Sequence, residues 1–423
     1  MSSVRGSIQS ITGAEPDELL PVCWSFLYFF CLLCGYYILR PVRDEMAIEG
    51  GVQNLPWMMT ATFLSLILVT PLFGYLSARV PRYRLLVTVY AFFGINLLGF
   101  FLLLINHVAP HWVARVFFVW LSVFNLFVVS VFWSFMADLF TPTQGARLFA
   151  VIAAGGSTGA MVGPLLTTAL TYVVPVPLLM LISAGFLAVC GLCIARLDRW
   201  SRYRATPQAG LQGEPIGGSM WAGIRLALRS PYLLGICLYL FLLTTTATFL
   251  YLEQTRLVGE QIQSPEGRTR LFALIDLVVN VVTFLTQVFI TSQMISRFGV
   301  ASALIILPLA SMAGFGMIGF IPVLVMFVLF TIVRRICEYA IAKPAREILF
   351  TVVSREEKYK AKNFIDTAVS RGGDAATGWV VQGVKAFGIT ASQIAWLLVP
   401  LALFWGWVGW RLAREEEERR IQK

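Results

Sequence analysis

Apolar stretches, each about as long as a membrane-spanning helix, follow one another along most of this 423-residue chain. A helix that crosses the hydrocarbon core of a bilayer needs about 20 mostly apolar residues. The pattern therefore predicts an all-α membrane protein with twelve transmembrane helices. The predicted spans are 21–40, 56–78, 84–106, 112–137, 148–171, 175–196, 231–252, 271–292, 300–320, 322–342, 364–386 and 390–412.

The composition agrees with a membrane protein and its charge distribution suggests an orientation. Hydrophobic residues make up 58% of the chain and charged residues 13%, about half the charged fraction of a soluble domain. A net charge of +10 would suggest nucleic acid as the partner of a soluble protein. Here most Lys and Arg residues fall on one side of the predicted spans, as the positive-inside rule requires if both termini are cytoplasmic. We therefore expect the lipid bilayer, and no nucleic acid, as a partner.

The longest polar interruption, 197–230, is rich in Pro, Gly and Arg and predicts a cytoplasmic linker. It separates a predicted N-terminal six-helix bundle, 1–196, from a C-terminal one, 231–423. Two weak internal repeats support this division. "GYLSARVPRYR" matches "SQMISRFGVAS" after the second helix of each half, and "LFAVIAAGGSTG" matches "FIDTAVSRGGDAATG" at the fifth.

Two parallel six-helix repeats describe the major facilitator architecture. "GYLSARVPRYR" resembles the G-x-L-x-D-R-x-G-R-R cytoplasmic loop of that superfamily, with Gly74, Leu76, Arg79 and Arg84 in place. The resemblance implies a gating role for Gly74, Arg79 and Arg84. Ala78 stands where the motif has Asp.

A more specific resemblance is to the ATP/ADP translocase (nucleotide transporter) family of plastids and intracellular bacteria. "LRPVRDEM" is similar to its L-R-x-x-K-D segment, and "AKNFIDTAVSRGGD" to its basic stretch ending in Lys-x-Gly-Gly. The resemblance places Arg43 and Arg371 at the family's basic positions and implies nucleotide transport across a bacterial inner membrane. The acids of that family's helices 4 and 7 have no counterpart in 116–135 or 231–252, so ATP/ADP exchange itself is not carried over.

Charged residues inside spans point to function, because a charge in hydrocarbon costs several kcal/mol unless it faces protein, water or a ligand. Arg40, Arg43 and Asp44 stand at the end of the first predicted span. They are either a headgroup anchor or part of a site, and Pro41 allows the helix to bend there. We predict that Arg43 binds substrate and Asp44 takes part in ion coupling. Arg40 is a further binding candidate, and of the two arginines it is the one that we interpret as a headgroup anchor.

Helix 8 carries a polar stripe at a spacing of 4, 3 and 4 residues: Asp276, Asn280, Thr283 and Gln287. Such a stripe either lines a water-filled path or hydrogen-bonds a neighbouring helix. We predict a path, with Asn280 at the substrate and Asp276 titrating during transport.

Helices 10 and 11 hold the remaining candidates. In helix 10, Glu338 is i+4 from Arg334 and i+3 from Arg335, so an ion pair within the helix is expected. Helix 11 contains Asp366, Arg371 and Asp374. Its Gly372–Gly373 step would let a ligand or another backbone approach.

These features predict a secondary transporter for a small organic anion, working as a monomer by alternating access. Arg43 and Arg371 would hold the anion as two sides of one central site, supported by Arg334 and Arg335. One alternative is a proton-coupled transporter of an amphiphilic compound, with proton carriers Asp276, Glu338, Asp366 and Asp374. Another is a membrane scaffold or sensor that transports nothing.

No cofactor, metal or enzymatic activity is predicted. The chain shows no nucleophile–base pair, zinc cluster or Walker-type phosphate loop. Its two C-x-x-C pairs, Cys31/Cys34 and Cys190/Cys193, lie inside apolar helices, where cysteine packs as a small hydrophobic residue.

Overall fold

The computed structural model describes residues 15, 17–80, 82–203, 228, 230–354, 361–362 and 364–422. The described part of the chain is helical and contains no strand. Its first half comprises α1 (Leu19–Glu49), α2 (Leu55–Arg79), α3 (Arg82–Ile105), α4 (Pro110–Leu139), α5 (Pro142–Leu170) and α6 (Val176–Tyr203). Its second half comprises α7 (Pro231–Gln261), α8 (Pro265–Thr286), α9 (Ser292–Phe320), α10 (Leu324–Ile336), α11 (Lys343–Leu349), α12 (Ser370–Ala386) and α13 (Ala391–Ile421).

The all-α fold expected from the apolar pattern is confirmed. Within the described ranges, nine helical segments are long and apolar enough to cross a membrane. One of them has 56 residues and joins α8 to α9. Gly299, with φ 77°, interrupts that segment near the predicted boundary between helices 8 and 9. α10 has 13 residues and α12 has 17, so both are shorter than a full span. The number twelve stays a prediction.

The helices form two compact units that exchange one segment each. The N-terminal unit contains α1, α3 to α6, α2 from Leu68 onward, and α8 as far as Leu277. The C-terminal unit contains the rest of α2, the rest of α8, and the other helices of the second half. The exchanged segments therefore come from the second helix of each half. Most of the predicted linker, 197–230, lies outside the described residues, so the predicted domain boundaries stay predictions.

In the N-terminal unit, α5 packs closely on α1 through Gly155, Gly159 and Gly163. A Cβ added to Gly159 would lie 2.4 Å from the carbonyl oxygen of Phe30, and one added to Gly163 would lie 2.7 Å from that of Cys34. No side chain fits at these distances. These glycines, spaced by four residues, thus form a helix-packing surface.

Three π-helical turns interrupt the C-terminal helices, at Gln287–Thr291, Cys337–Ala342 and Ile365–Val369. The first two hydrogen-bond to each other through side chains. Gln287 Nε2 donates to the carbonyl of Tyr339 at 3.1 Å, and Thr291 Oγ1 donates to that of Ala340 at 2.8 Å. The predicted spans 271–292, 322–342 and 364–386 are therefore not uniform α-helices, because each of them contains a π turn.

The predicted gating residues lie around the C-terminal end of α2 and the start of α3. Gly74 is inside α2, Arg79 is its last residue, and Arg84 is exposed in the first turn of α3. The Arg79 guanidinium hydrogen-bonds to the Tyr75 hydroxyl and lies 4.2 Å from the centre of the Tyr75 ring. The gating role of the three residues stays a prediction.

Candidate functional site

The charged end of α1 is helical and packed. The first predicted span ends at residue 40, but α1 continues through Pro41 to Glu49. Asp44 and Glu45 are both buried there. The acids following the apolar stretch therefore belong to the packed interior of the N-terminal unit.

Arg40 pairs with Asp276 of α8. Its Nε lies 3.6 Å from Asp276 Oδ2, and the Asp276 side chain is only 2% exposed. The interpretation of Arg40 as a headgroup anchor is therefore wrong, because its guanidinium is directed to a buried carboxylate of another helix. Two predicted site residues, one expected at the substrate and one at the proton, thus lie within ion-pair distance of each other.

A second ion pair joins the same two helices and was not predicted. Arg268 Nη2 lies 2.7 Å from Glu45 Oε1, and both side chains are almost fully buried. Arg268 stands about two turns before Asp276 in α8. The charges are placed in opposite senses, since α1 supplies the cation to one pair and the anion to the other. Two sequence signals for this pair were available: the acid Glu45 on α1, and the base Arg268 on the same face of α8 as Asp276.

Arg43 pairs with Asp44, the next residue of α1. Its Nη2 and Nε lie 2.6 Å and 3.1 Å from Asp44 Oδ1. The guanidinium carbon also lies 5.4 Å from the centre of the Phe118 ring, within the range of a cation–π contact.

Arg334 and Glu338 form the ion pair expected within helix 10. Arg334 Nη1 lies 3.0 Å from Glu338 Oε2, across the junction between α10 and the second π turn. The buried Arg334 also donates from Nη2 to the carbonyl of Leu243 in α7 at 2.9 Å. The Arg335 guanidinium lies 5.8 Å from the centre of the Tyr339 ring. Arg334 therefore connects α10 to α7.

Arg371 and Asp374 lie on the first turn of α12 and face one another. Arg371 Nη1 is 3.3 Å from Asp374 Oδ2, while Asp374 Oδ1 accepts a hydrogen bond from Thr248 Oγ1 at 2.9 Å. The Arg371 side chain is 44% exposed. A Cβ on Gly373 would lie 2.3 Å from Thr244 Oγ1, so the space over this glycine is filled by a side chain of α7.

The other predicted residues are spread over the structure. Asp366 lies 3.3 Å from Arg346 Nη2, and Asn280 is half-buried in α8. The polar stripe of helix 8 divides between the two compact units, because Asp276 belongs to the N-terminal unit and Asn280 to the C-terminal unit.

A third set of paired charges lies at the end of α7. The prediction ended this helix at residue 252, whereas α7 continues to Gln261. Glu253 is fully buried; it accepts a hydrogen bond from Arg256 Nε at 3.0 Å and pairs with Lys385 of α12. Arg256 also pairs with Glu260 at 2.7 Å. The spacing of these charges by three and four residues was the sequence signal for a longer helix.

These observations describe a multi-pass helical membrane protein whose interior contains paired arginines and carboxylates. In the described residues, no group of three or more His, Cys, Asp or Glu side chains is arranged to hold a metal ion. Paired charges within membrane helices are typical of transporters. The chain belongs to the Major Facilitator Superfamily, whose family profile matches residues 25–332. It is therefore a membrane transporter of the major facilitator type.

Two curated relatives are the ADP,ATP carrier proteins 1 of Chlamydia muridarum and Chlamydia trachomatis. Each is 20% identical to this chain. The alignments cover 90% of this chain and 84% of the first relative, and 95% and 89% for the second.

Solved transporter structures share the fold. A bacterial homologue of the iron transporter ferroportin, in an inward-facing state, aligns with a TM-score of 0.67 and 12% identity over 93% of this chain and 99% of that one. The nucleoside transporter NupG aligns with a TM-score of 0.62 and 14% identity over 94% and 98%. These similarities show the fold alone.

Proposed function

We propose that this protein is a secondary active transporter of a small organic anion, such as a nucleotide or another phosphorylated metabolite. It works by alternating access as a monomer in a bacterial inner membrane, with both termini in the cytoplasm. It catalyses no chemical reaction. Arg43 and Arg371 are the proposed anion-binding residues, one in each half of the sequence, with Arg40, Arg334, Arg335 and Asn280 as further candidates.

The observation that carries this proposal is the partly exposed side chain of Arg371. This side chain is 44% exposed although it lies in a predicted span. A guanidinium is not stable against hydrocarbon, so this surface faces water or a ligand. Arginine binds phosphate and carboxylate groups through two parallel hydrogen bonds, which makes an anion the matching ligand.

The relatives suggest which anions to test first. Two ADP,ATP carriers resemble the chain over most of its length, at 20% identity. Nucleotides therefore head the panel, followed by phosphorylated sugars and carboxylates.

Counterflow in proteoliposomes tests the proposal. Vesicles preloaded with each unlabelled anion should accumulate the labelled form of at least one of them, and Arg371→Gln should slow that uptake at least tenfold. Arg420→Gln is the matched control, because Arg420 pairs with an acid three residues away at the exposed end of α13. If the folded protein shows no counterflow for any anion, the proposal is wrong.

Proton-coupled transport of an amphiphilic compound is the second candidate function. It is favoured by the position of Asp276, a buried carboxylate beside Arg40, and the remaining proposed carriers are Glu338, Asp366, Asp374 and Asp44. Dye efflux driven by a pH gradient, without anion counterflow, would identify this function. A scaffold or sensor would respond in neither assay.

A further inference from the structure

We propose that Asp374 is an internal counter-anion for Arg371, which lets the empty transporter change state and so permits net transport without exchange. This inference rests on the proposed anion transport and specifies its mode. It differs from exchange transport, in which the carrier returns only when it is loaded.

The first argument is that the proposed binding arginines do not stand alone. Arg40, Arg43, Arg334 and Arg371 each have a carboxylate within ion-pair distance in the same compact unit. The pairs are Arg40–Asp276 at 3.6 Å, Arg43–Asp44 at 2.6 Å, Arg334–Glu338 at 3.0 Å and Arg371–Asp374 at 3.3 Å.

The second argument is that Asp374 is held in place from another helix. Thr248 of α7 donates to Asp374 Oδ1 at 2.9 Å, which leaves Oδ2 directed at Arg371. The carboxylate is thus oriented by a residue that is independent of the arginine. An acid with this support stays in position when the guanidinium also binds a substrate.

The third argument is that Arg371 is accessible to a second anion. A guanidinium carries five N–H donors. Asp374 contacts the terminal nitrogen Nη1, and 44% of the arginine side chain is exposed. A substrate anion can therefore approach the exposed part of this side chain and compete with Asp374 for the guanidinium.

The consequence concerns the empty carrier. An unpaired cation is expensive in a region of low dielectric constant, so a carrier with a bare binding arginine changes state only when an anion covers it. With Asp374 beside Arg371, the empty site is neutral. Replacing Asp374 with Asn should restore the need for a bound anion at every step.

The test compares net uptake with exchange in proteoliposomes, with the membrane potential clamped by potassium and valinomycin. The probe is whichever of labelled ATP, ADP, glucose 6-phosphate, inorganic phosphate or malate the unaltered protein exchanges fastest. Net uptake is measured into vesicles without internal anion, and exchange into vesicles preloaded with the same anion.

We expect Asp374→Asn to lower net uptake at least tenfold while exchange changes less than threefold, and Asp374→Glu to retain net uptake. Glu417→Gln is the matched control, since Glu417 is three residues from its partner Arg420 and both are exposed. Exchange by Asp374→Asn also reports that the variant is folded.

Other outcomes overturn the inference and separate it from the proposed function. If the unaltered protein exchanges an anion but shows no net uptake, the counter-anion role is wrong and anion transport stands. Equal loss of both activities in Asp374→Asn, without recovery in Asp374→Glu, shows that Asp374 is needed for binding or folding instead. If no anion is exchanged at all, both proposals fall.

Discussion

Glu45 of α1 and Arg268 of α8 form a buried ion pair, with Oε1 and Nη2 2.7 Å apart. They are 223 positions apart in the sequence. The parallel pair Arg40–Asp276 joins the same helices. The beginning of α8 is therefore held to α1 by charges, in a unit otherwise formed by helices of the first half.

Replacing Glu45 with Gln should destabilise the protein markedly. Breaking a buried ion pair from one side costs about 3–5 kcal/mol, because the remaining charge loses its partner while staying desolvated. We expect a clearly lower apparent Tm in detergent, measured by intrinsic fluorescence. The reversed pair Glu45→Arg with Arg268→Glu should recover part of the loss. Equal stability of Glu45→Gln and the control Glu417→Gln would contradict the importance of this pair.

Replacing Gly159 with Ala should disturb the packing of α5 on α1. The added Cβ would meet the carbonyl oxygen of Phe30 at 2.4 Å, and such overpacking costs about 1–3 kcal/mol. Gly191→Ala in α6 is the matched control, because no atom lies within 4 Å of the position of its Cβ. Thermal unfolding of the two variants should separate them, and equal Tm values would argue against the close approach.

Replacing Thr291 with Val should weaken the contact between the first two π turns. The hydroxyl donates to the carbonyl of Ala340, and the loss of such a hydrogen bond costs about 0.5–1.5 kcal/mol. Ser296→Ala serves as the control, because its hydroxyl is exposed and bonds within α9. Hydrogen exchange of 337–342 should accelerate in Thr291→Val alone. Unchanged protection there would show that the hydroxyl is dispensable.

The contact between Glu18 and α5 should depend on pH. Burial tends to raise the pKa of Glu18, but the Glu15 N–H, the Gln144 amide and Arg147 together lower that pKa below its ordinary value of 4.5. A carboxylate whose pKa is lowered on folding stabilises the protein above the unfolded pKa and loses this effect as the pH falls through the folded pKa. Stability should therefore decrease below pH 4.5.

The variant Glu18→Gln tests this dependence. It should be less stable than the unaltered protein at pH 7, and the difference between their Tm values should shrink as the pH falls below 4.5. The matched variant Glu15→Gln should show a smaller effect, because Glu15 is exposed and lies 3.4 Å from Arg147. A Tm difference that does not shrink as the pH falls well below 4.5 would mean that Glu18 acts through packing.

The helices could be predicted from the sequence because long apolar stretches have one stable form in a bilayer. The charged residues could be recognised for the same reason, since each is costly without a partner. The residues with which they pair could not be predicted from the sequence. In the structure Arg40 pairs with Asp276 of α8. The two residues are too far apart in the sequence for a helical spacing to predict this pair. The ion pair of Arg334 with Glu338 was predictable because both lie on one helix face.

The π turns and the length of α7 also escaped prediction, for a different reason. A shift from i+4 to i+5 hydrogen bonding changes no hydrophobic pattern over a single turn, so Gln287–Thr291 reads as ordinary helix. The predicted span ends at residue 252, just before Glu253, whereas α7 continues to Gln261. The pairing of Glu253 with Lys385 lets the helix continue with the acid buried.

The exchange of helix segments has a consequence for dissecting the molecule. The beginning of α2 belongs to the C-terminal unit and the beginning of α8 to the N-terminal unit. A cut in the polar stretch between α6 and α7 would give two fragments, each missing one piece of its own unit and carrying one piece of the other. Neither fragment would therefore contain one whole compact unit.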